Sequence, residues 1–380
     1  MRANIWVSRL PWTVVAIVLT LIAMGCLGIA RCDELTGGGG RFVRQQIVWS
    51  VLALAGMFLA TTVSYRILCR WSYAIFAVAV LLLVGVYFLP AVNHAHRWVR
   101  MGPIGVQPSE FAKVAFVLAL ARWLMYRESH RRLWGLAAPL ALTLIPTLLI
   151  LKEPDLGTSS VFLPVMLAML FAAGARRVDL VRFALLGLLV LPLVWTQMSR
   201  EQKSRVTALF EQAGPGAKTT DQTYQLHQAK LLVALGATWG SAAAGQPVND
   251  PAVYYLPEAR TDFIFSVLGE RFGLLGMAAV LGLFGLLVWR GQVIAGNTRE
   301  PFGRLLAAGL SALFAVQVLI NTGMAVGLLP VTGLSLPLMS YGGSGMVAHG
   351  LALGLLLNVG MRPGYEMTNE PFRYVVGSRQ

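Results

Sequence analysis

What most limits the folds open to this chain is the recurrence of apolar runs close to the ~20 residues that cross a hydrocarbon core of about 30 Å. They are Val14–Ala30, Ile47–Val63, Tyr73–Val92, Phe111–Met125, Leu133–Leu151, Ser160–Gly174, Phe183–Thr196, Phe263–Trp289, Leu305–Leu328 and Met346–Val359. Inside lipid every backbone N–H and C=O must find a partner within the protein, which leaves helices or closed barrels. The runs exceed the ~9–11 residues of a barrel strand and do not alternate strictly, so helices are expected. With 56% hydrophobic and 13% charged residues, the balance is far from that of a soluble domain. The expected fold class is all-α, a polytopic integral membrane protein of about ten transmembrane helices. Residues 1–380 are read as a single transmembrane domain, with residues 197–262 as a large extracytoplasmic loop between helices seven and eight.

Arg2 and Arg9 precede the first run, and Gly28-Ile29-Ala30 looks like a small-residue cleavage site. The run is nevertheless longer than the ~7–15 residues of a signal core, so it is expected to stay as the first span. An even number of spans puts both termini on one side. Arg66, Arg70, Arg127, Arg131, Arg132, Arg176, Arg177, Arg182, Arg290, Arg299 and Arg304 fall in short connections on that side. The positive-inside rule makes it cytoplasmic. Arg41, Arg44, Arg97, Arg100, Arg200, Lys203 and Arg205 fall on the opposite face. Either they meet an anionic ligand there, or they lie in loops translocated whatever their charge. A net charge of +14 points to membrane lipids with anionic head groups as partners, and to no nucleic acid, since no soluble basic domain is visible to hold one. Cys26, Cys32 and Cys69 follow no metal-ligand spacing, and no structural disulfide is expected.

Four segments carry chemistry. In Gln107-Pro108-Ser109-Glu110-Phe111-Ala112-Lys113, Pro, Ser and Glu suit the first turn of a helix, but Lys113 lies three residues after Glu110 on the same face and just inside the apolar run. A charge at the centre of a membrane helix costs about 2.5–3.5 kcal/mol by insertion scales, so such a pair is either functional or a snorkelling ion pair. Lys152-Glu153-Pro154-Asp155-Leu156-Gly157-Thr158 is a charged reversal between two spans, in which Asp155 is a candidate acceptor for Lys113 or Arg97. Leu256 to Phe265 ends the long loop, with Glu258, Thr261 and Asp262 just before the next span; Asp262 suits an N-cap and also a general base. Pro330 to Ser344 is a Pro/Gly-punctuated loop with Ser340, Tyr341 and Ser344 at its end. Elsewhere, Gly214 to Thr219 departs from a phosphate-loop pattern at Ala217, and His94 and His96 have no third ligand nearby. No residues are assigned to a metal. Tyr224 to Ala237 has apolar residues at helical spacing and is expected to lie along the membrane surface.

Taken together, these segments resemble the SEDS proteins, the family that contains RodA and FtsW. The family's Gln-Pro-Ser-Glu-x-x-Lys pattern is met at Gln107–Lys113, Pro-Asp-Leu-Gly-Thr at Pro154–Thr158, Leu-Pro-Glu-x-x-Thr-Asp-Phe-Ile-Phe at Leu256–Phe265, and its long Gly/Pro-rich pattern at Gly327–Ser344. The resemblance implies a SEDS fold and a peptidoglycan glycosyltransferase. Such an enzyme polymerises lipid II, the undecaprenyl-pyrophosphate-linked disaccharide pentapeptide, on the outer face of the cytoplasmic (inner) membrane of a bacterium. It works beside a class B penicillin-binding protein transpeptidase, in cell elongation of the RodA type. A division or sporulation polymerase of the FtsW or SpoVE type and a lipid II flippase are the alternatives. The family's catalytic aspartate falls on Asp262, and the implied substrate contacts are Arg97, Gln107, Ser109, Glu110, Lys113, Asp155, Glu258, Thr261, Ser340, Tyr341 and Ser344. No cofactor is assigned, and a divalent cation is a candidate aid to the departing pyrophosphate. Ala237-Thr238-Trp239-Gly240-Ser241 departs from the family's glycine-rich stretch and its lysine, and Glu270-Arg271 from its usual Glu-Glu.

The topology is testable by cysteine labelling. A cysteine at Gly214 should react with an impermeant reagent applied outside intact cells and one at Arg131 should not; labelling of Arg131→Cys from outside would invert this topology.

Overall fold

The computed structural model describes residues 10–36, 39–90, 97–101, 104–125, 133–210, 221–248 and 251–364. Each expected apolar run overlaps a helix. In chain order these are α1 (Trp12–Thr36), α2 (Arg41–Thr62), α3 (Tyr65–Val86), α4 (Pro108–Leu124), α5 (Ala137–Lys152), α6 (Leu156–Ala172) and α7 (Arg177–Gln197). The connection after α7 contains α8 (Arg200–Phe210), α9 (Asp221–Gly236) and the single turn α10 (Ser241–Ala244). The bundle closes with α11 (Ile264–Asn297), α12 (Pro301–Ala325) and α13 (Gly343–Gly360). Among the described residues, 6 helices are long and apolar enough to cross a membrane by length and composition, namely α1, α2, α3, α11, α12 and α13, and α5 and α6 are shorter apolar helices. One element departs from the all-helical expectation: β1 (Val99–Met101) and β2 (Ile104–Val106) pair antiparallel between α3 and α4. His94, His96, Arg127, Arg131, Arg132 and Gly214 to Thr219 lie outside the described residues.

The centre of the bundle is α4 and α12, which are buried on nearly every side, whereas α2, α3 and α7 turn many large apolar side chains outward. Exposed Leu, Ile and Phe at this density fit a lipid solvent rather than water. Small residues allow the closest helix approach. Gly350 and Gly354, four apart on α13, sit against the Ala53 and Met57 carbonyl oxygens of α2, where any added Cβ would collide. At the end of α13, Asn358 Nδ2 donates to the Ala60, Thr61 and Val63 carbonyl oxygens left open at the end of α2.

Tyr224 to Ala237 is helical, as its apolar spacing suggests, and the structure adds what it packs on: α9 lies against α11, burying Leu226, Ala229 and Leu232, with Gly236 against the Gly269 carbonyl. In addition, α11 is two helices joined at Gly273, whose φ of 65° and ψ of −163° break the helical path. The departure at Ala237 to Ser241 stands against this break: Gly273 abuts the Thr238 carbonyl, Gly240 abuts the Arg271 carbonyl, and Leu274 N–H donates to Ala237 O at 2.9 Å. Both glycines have positive φ. The segment is thus a backbone splint for the kink, which needs its glycine but not the family's lysine.

Gly350→Val should overpack the α2–α13 contact and lower stability by about 1–3 kcal/mol. Gly282→Ala, where a Cβ meets nothing within 4 Å, should not. Thermal midpoints in detergent, read by size exclusion, check the difference.

Candidate functional site

The motif residues converge at one end of the bundle around a cavity of about 460 Å³. Arg97, Gln107, Glu110 and Asp155 line it from one side, Glu258, Thr261 and Asp262 from a second, and Ser340, Tyr341 and Ser344 from a third. Ser109 and Lys113 do not line it. Both are buried behind it, Ser109 with its hydroxyl unpartnered.

Asp262 is placed by the turn before α11. The N–H groups of Thr261 and Asp262 donate to Glu258 O at 3.2 and 3.0 Å, and Thr261 Oγ1 donates to Glu258 Oε2 at 3.0 Å. Glu258 takes a left-handed φ of 54°, strain of the kind held at functional sites. Asp262 does not cap α11: Phe263 stands at the cap position and makes no side-chain cap bond. The carboxylate is left for other work because the peptide chain turns one residue later than the sequence suggests. From α12, Asn321 Nδ2 donates to both Asp262 O and Leu334 O, each at 2.7 Å, joining this turn to the loop before α13.

That loop brings Gly333 to the carboxylate. Gly333 has a φ of +75°, and a Cβ added to it would stand 3.2 Å from Arg205 Nη1 and 3.5 Å from Asp262 Oδ2, so a side chain there would enter the space between acid and guanidinium. Arg205, on α8, donates from Nη1 to Thr332 O at 3.2 Å and pairs through Nη2 with Glu201 at 2.8 Å. Withdrawal from water and the neighbouring Glu258 charge push the Asp262 carboxyl up to about 7; Arg205 pulls the other way, Asp155 adds to the rise, and a hydrogen bond with Thr261 opposes it.

Across the cavity, Asp155 caps α6, accepting from Thr158 N and Thr158 Oγ1, both at 3.0 Å, while Gln107 Nε2 reaches its Oδ2 at 3.4 Å. Arg97 donates to the backbone carbonyls of Glu153 and Pro154, at 2.7 and 2.6 Å, rather than to the Asp155 carboxylate. Burial, with Asp155 beside it, pushes the Glu153 carboxyl up to about 8, against the pull of Arg97. Nor does Asp155 take Lys113. The Lys113 ammonium donates to Glu110 Oε1 at 2.8 Å, three residues away on its own helix. The other Glu110 oxygen is buried without a hydrogen-bond partner, 3.8 Å from His349 Nε2, which in turn lies 3.2 Å from Gln317 Oε1.

Arg205 was visible in the sequence only as one of several basic residues in a long loop. Asn321 and His349 were visible only as polar residues inside apolar runs, the signal that intramembrane polar groups are functional by default. Among the described residues no group of three or more His, Cys, Asp or Glu side chains comes together to hold a metal. Asn321→Ala should leave two buried carbonyls unpaired and cost about 1–3 kcal/mol. The thermal midpoint of the purified protein checks this, and an unchanged midpoint would show that the two loops are held by other contacts.

A model of the FtsW/RodA/SpoVE family, described as cell cycle proteins, matches residues 8–363. The chain is 34% identical over 374 residues to a probable peptidoglycan glycosyltransferase FtsW of Halothiobacillus neapolitanus, covering 92% of this chain and 86% of that protein. It is 33% identical over 326 residues to stage V sporulation protein E of Bacillus subtilis, covering 84% and 86%. Among solved structures, the rod shape determining protein RodA of Thermus thermophilus superposes with a TM-score of 0.69 at 29% identity, covering 94% and 98% of the two chains. A chain from a peptidoglycan synthase complex, described as coordinating polymerization and crosslinking, superposes with a TM-score of 0.77 at 31% identity, covering 92% and 97%. The four motifs, the helical architecture and these likenesses agree, and the chain belongs to the FtsW/RodA/SpoVE family.

Proposed function

We propose that this protein is a peptidoglycan glycosyltransferase that polymerises lipid II into glycan strands, with Asp262 as its general base. The chain is similar to a stage V sporulation protein E and a rod shape determining protein RodA as well as to a probable peptidoglycan glycosyltransferase FtsW, and the activity proposed is the one carried in the name of the last. The observation that carries the assignment is the Asp262 carboxyl itself, half-buried at a cavity wall, raised to about 7 and facing Arg205. A base whose pKa lies near the working pH combines the correct protonation state with useful basicity.

In the proposed reaction the acceptor GlcNAc 4-hydroxyl gives its proton to Asp262 as its oxygen attacks the anomeric carbon of the donor MurNAc from the face opposite the leaving group. The bond from that carbon to the undecaprenyl pyrophosphate oxygen breaks, and the electron pair leaves with the pyrophosphate, inverting the centre. Arg97 and Arg205 are the guanidinium groups at the cavity that can take up the developing charge. Three of the other carboxylates there are already engaged: Glu110 with Lys113, Asp155 with Thr158, Glu201 with Arg205. Lys113 therefore acts through Glu110 rather than on the substrate. The site faces outward across the cytoplasmic membrane in this reading, and a class B penicillin-binding protein transpeptidase is the partner. The likeness to a chain of a peptidoglycan synthase complex supports that pairing.

Asp262→Asn should accumulate in the membrane and polymerise lipid II more slowly by about two to four orders of magnitude, the usual range for a general base. Near-normal polymer on a gel would refute the role, and intact polymerisation with lost lipid II translocation would favour a flippase. The pH profile gives a second test. The base must be ionised, so kcat/KM should rise with pH through about 7. Glu258→Gln removes a negative neighbour and should move that rise to lower pH; Arg205→Met removes a positive one and should move it to higher pH.

A further inference from the structure

A second cavity, of about 870 Å³, lies on the other side of the turn that carries Asp262. Glu258, Thr261 and Tyr341 line both cavities, so this turn and one tyrosine form the partition between them. The new cavity differs in chemistry. Its walls are rich in aromatic side chains, among them Phe42, Tyr224 and Tyr255, and its charged lining groups among the described residues are Glu258 and Arg260, which balance each other. Among those residues it has no second guanidinium to meet a diphosphate.

The partition is held firmly from this side. Tyr341 N–H donates to Arg260 O at 2.8 Å, and its hydroxyl donates to Gln45 Oε1 at 2.5 Å. The Arg260 guanidinium lies 3.7 Å from the centre of the Phe42 ring, and Phe42 meets Tyr341 edge to face at 5.4 Å. Aromatic rings interrupted by one carboxylate and one guanidinium suit a pyranose: rings such as Tyr224 and Tyr255 can receive the C–H faces of a sugar, and the charged pair its equatorial hydroxyls and acetamido group.

We infer that this cavity is a binding site for glycan, holding the sugars of the growing strand that lie beyond the residue undergoing coupling. The inference rests on the proposed polymerase activity. A polymerase that adds many units must hold its product while the next monomer enters, and the strand behind the reacting sugar is uncharged along its backbone. The cavity containing Arg97 and Arg205 takes the pyrophosphate end; the aromatic cavity takes the neutral end. The shared wall then sets the register between them.

Tyr224 and Tyr255 are 37% and 58% exposed, so their truncation spares the core. With purified protein and lipid II, Tyr224→Ala and Tyr255→Ala should shorten the product strands about fivefold, the scale of one lost aromatic contact, while the rate of the first coupling stays within about twofold of wild type. As a second arm, saturation-transfer NMR of a lipid-free glycan tetrasaccharide on Asp262→Asn protein should show contact that Tyr224→Ala abolishes. Unchanged strand length, or a parallel fall of first coupling, strand length and thermal midpoint, would overturn the site. Absence of polymer from the wild-type protein would instead remove the activity, and the NMR arm would still decide whether the cavity takes glycan.

Discussion

The side-chain amide of Asn321 is the joint on which the reactive end of the molecule depends. An amide in the middle of an apolar helix costs about 2–7 kcal/mol to bury without partners, depending on the reference state. Here its two N–H groups meet two carbonyls that no regular structure would satisfy, one at Asp262 before α11 and one at Leu334 in the loop before α13. Because both bonds leave one nitrogen, the two loops cannot move independently. Their juxtaposition sets Gly333 beside Asp262 and lets Arg205 arrive from α8. The cavity, the raised carboxyl and the cation opposite it are consequences of that joint.

Two buried ion pairs brace the same end. Lys113 pairs with Glu110 within α4, and Arg31 of α1 grips Glu270 of α11 with two bonds, at 3.0 and 2.8 Å. Removing two charges from water costs several kcal/mol each, so neither pair is a simple source of stability. What each does is fix geometry. The first holds one Glu110 oxygen and leaves the other buried without a hydrogen bond, 3.8 Å from His349 Nε2; the second ties α1 to the short half of α11 that starts just after Asp262. Losing Arg31 or Lys113 would strand the buried carboxylate of Glu270 or Glu110, which is far costlier than losing both partners, whereas Arg31 without Glu270 keeps Glu34 at 3.3 Å.

The kink at Gly273 explains how a chain that departs from its family's pattern keeps the architecture. The stretch Ala237 to Ser241 meets α11 through backbone carbonyls and N–H groups, and glycines at 240 and 273 permit the approach. Side-chain identity at the neighbouring positions is therefore open to change. Arg271 follows the same logic, since the splint contacts its carbonyl oxygen and Glu270 beside it does the ionic work.

Much was legible in the linear chain. The lengths of the apolar runs determine that they become helices, since lipid offers the backbone no other partner, and four motifs in order determine the family and nominate Asp262. Local spacing also determines the Glu110–Lys113 pair, because residues three apart share a helix face. Other features follow from neighbours far apart in sequence. Only the folded molecule brings Asn321 to Asp262 across 59 positions, sets Arg205 rather than Lys113 at the cavity, turns Arg97 onto carbonyls instead of Asp155, and opens a second, aromatic cavity behind the same turn. The reason is that a residue's type limits which bonds it can make, while tertiary packing decides which partner stands within about 3 Å and how much water remains beside it.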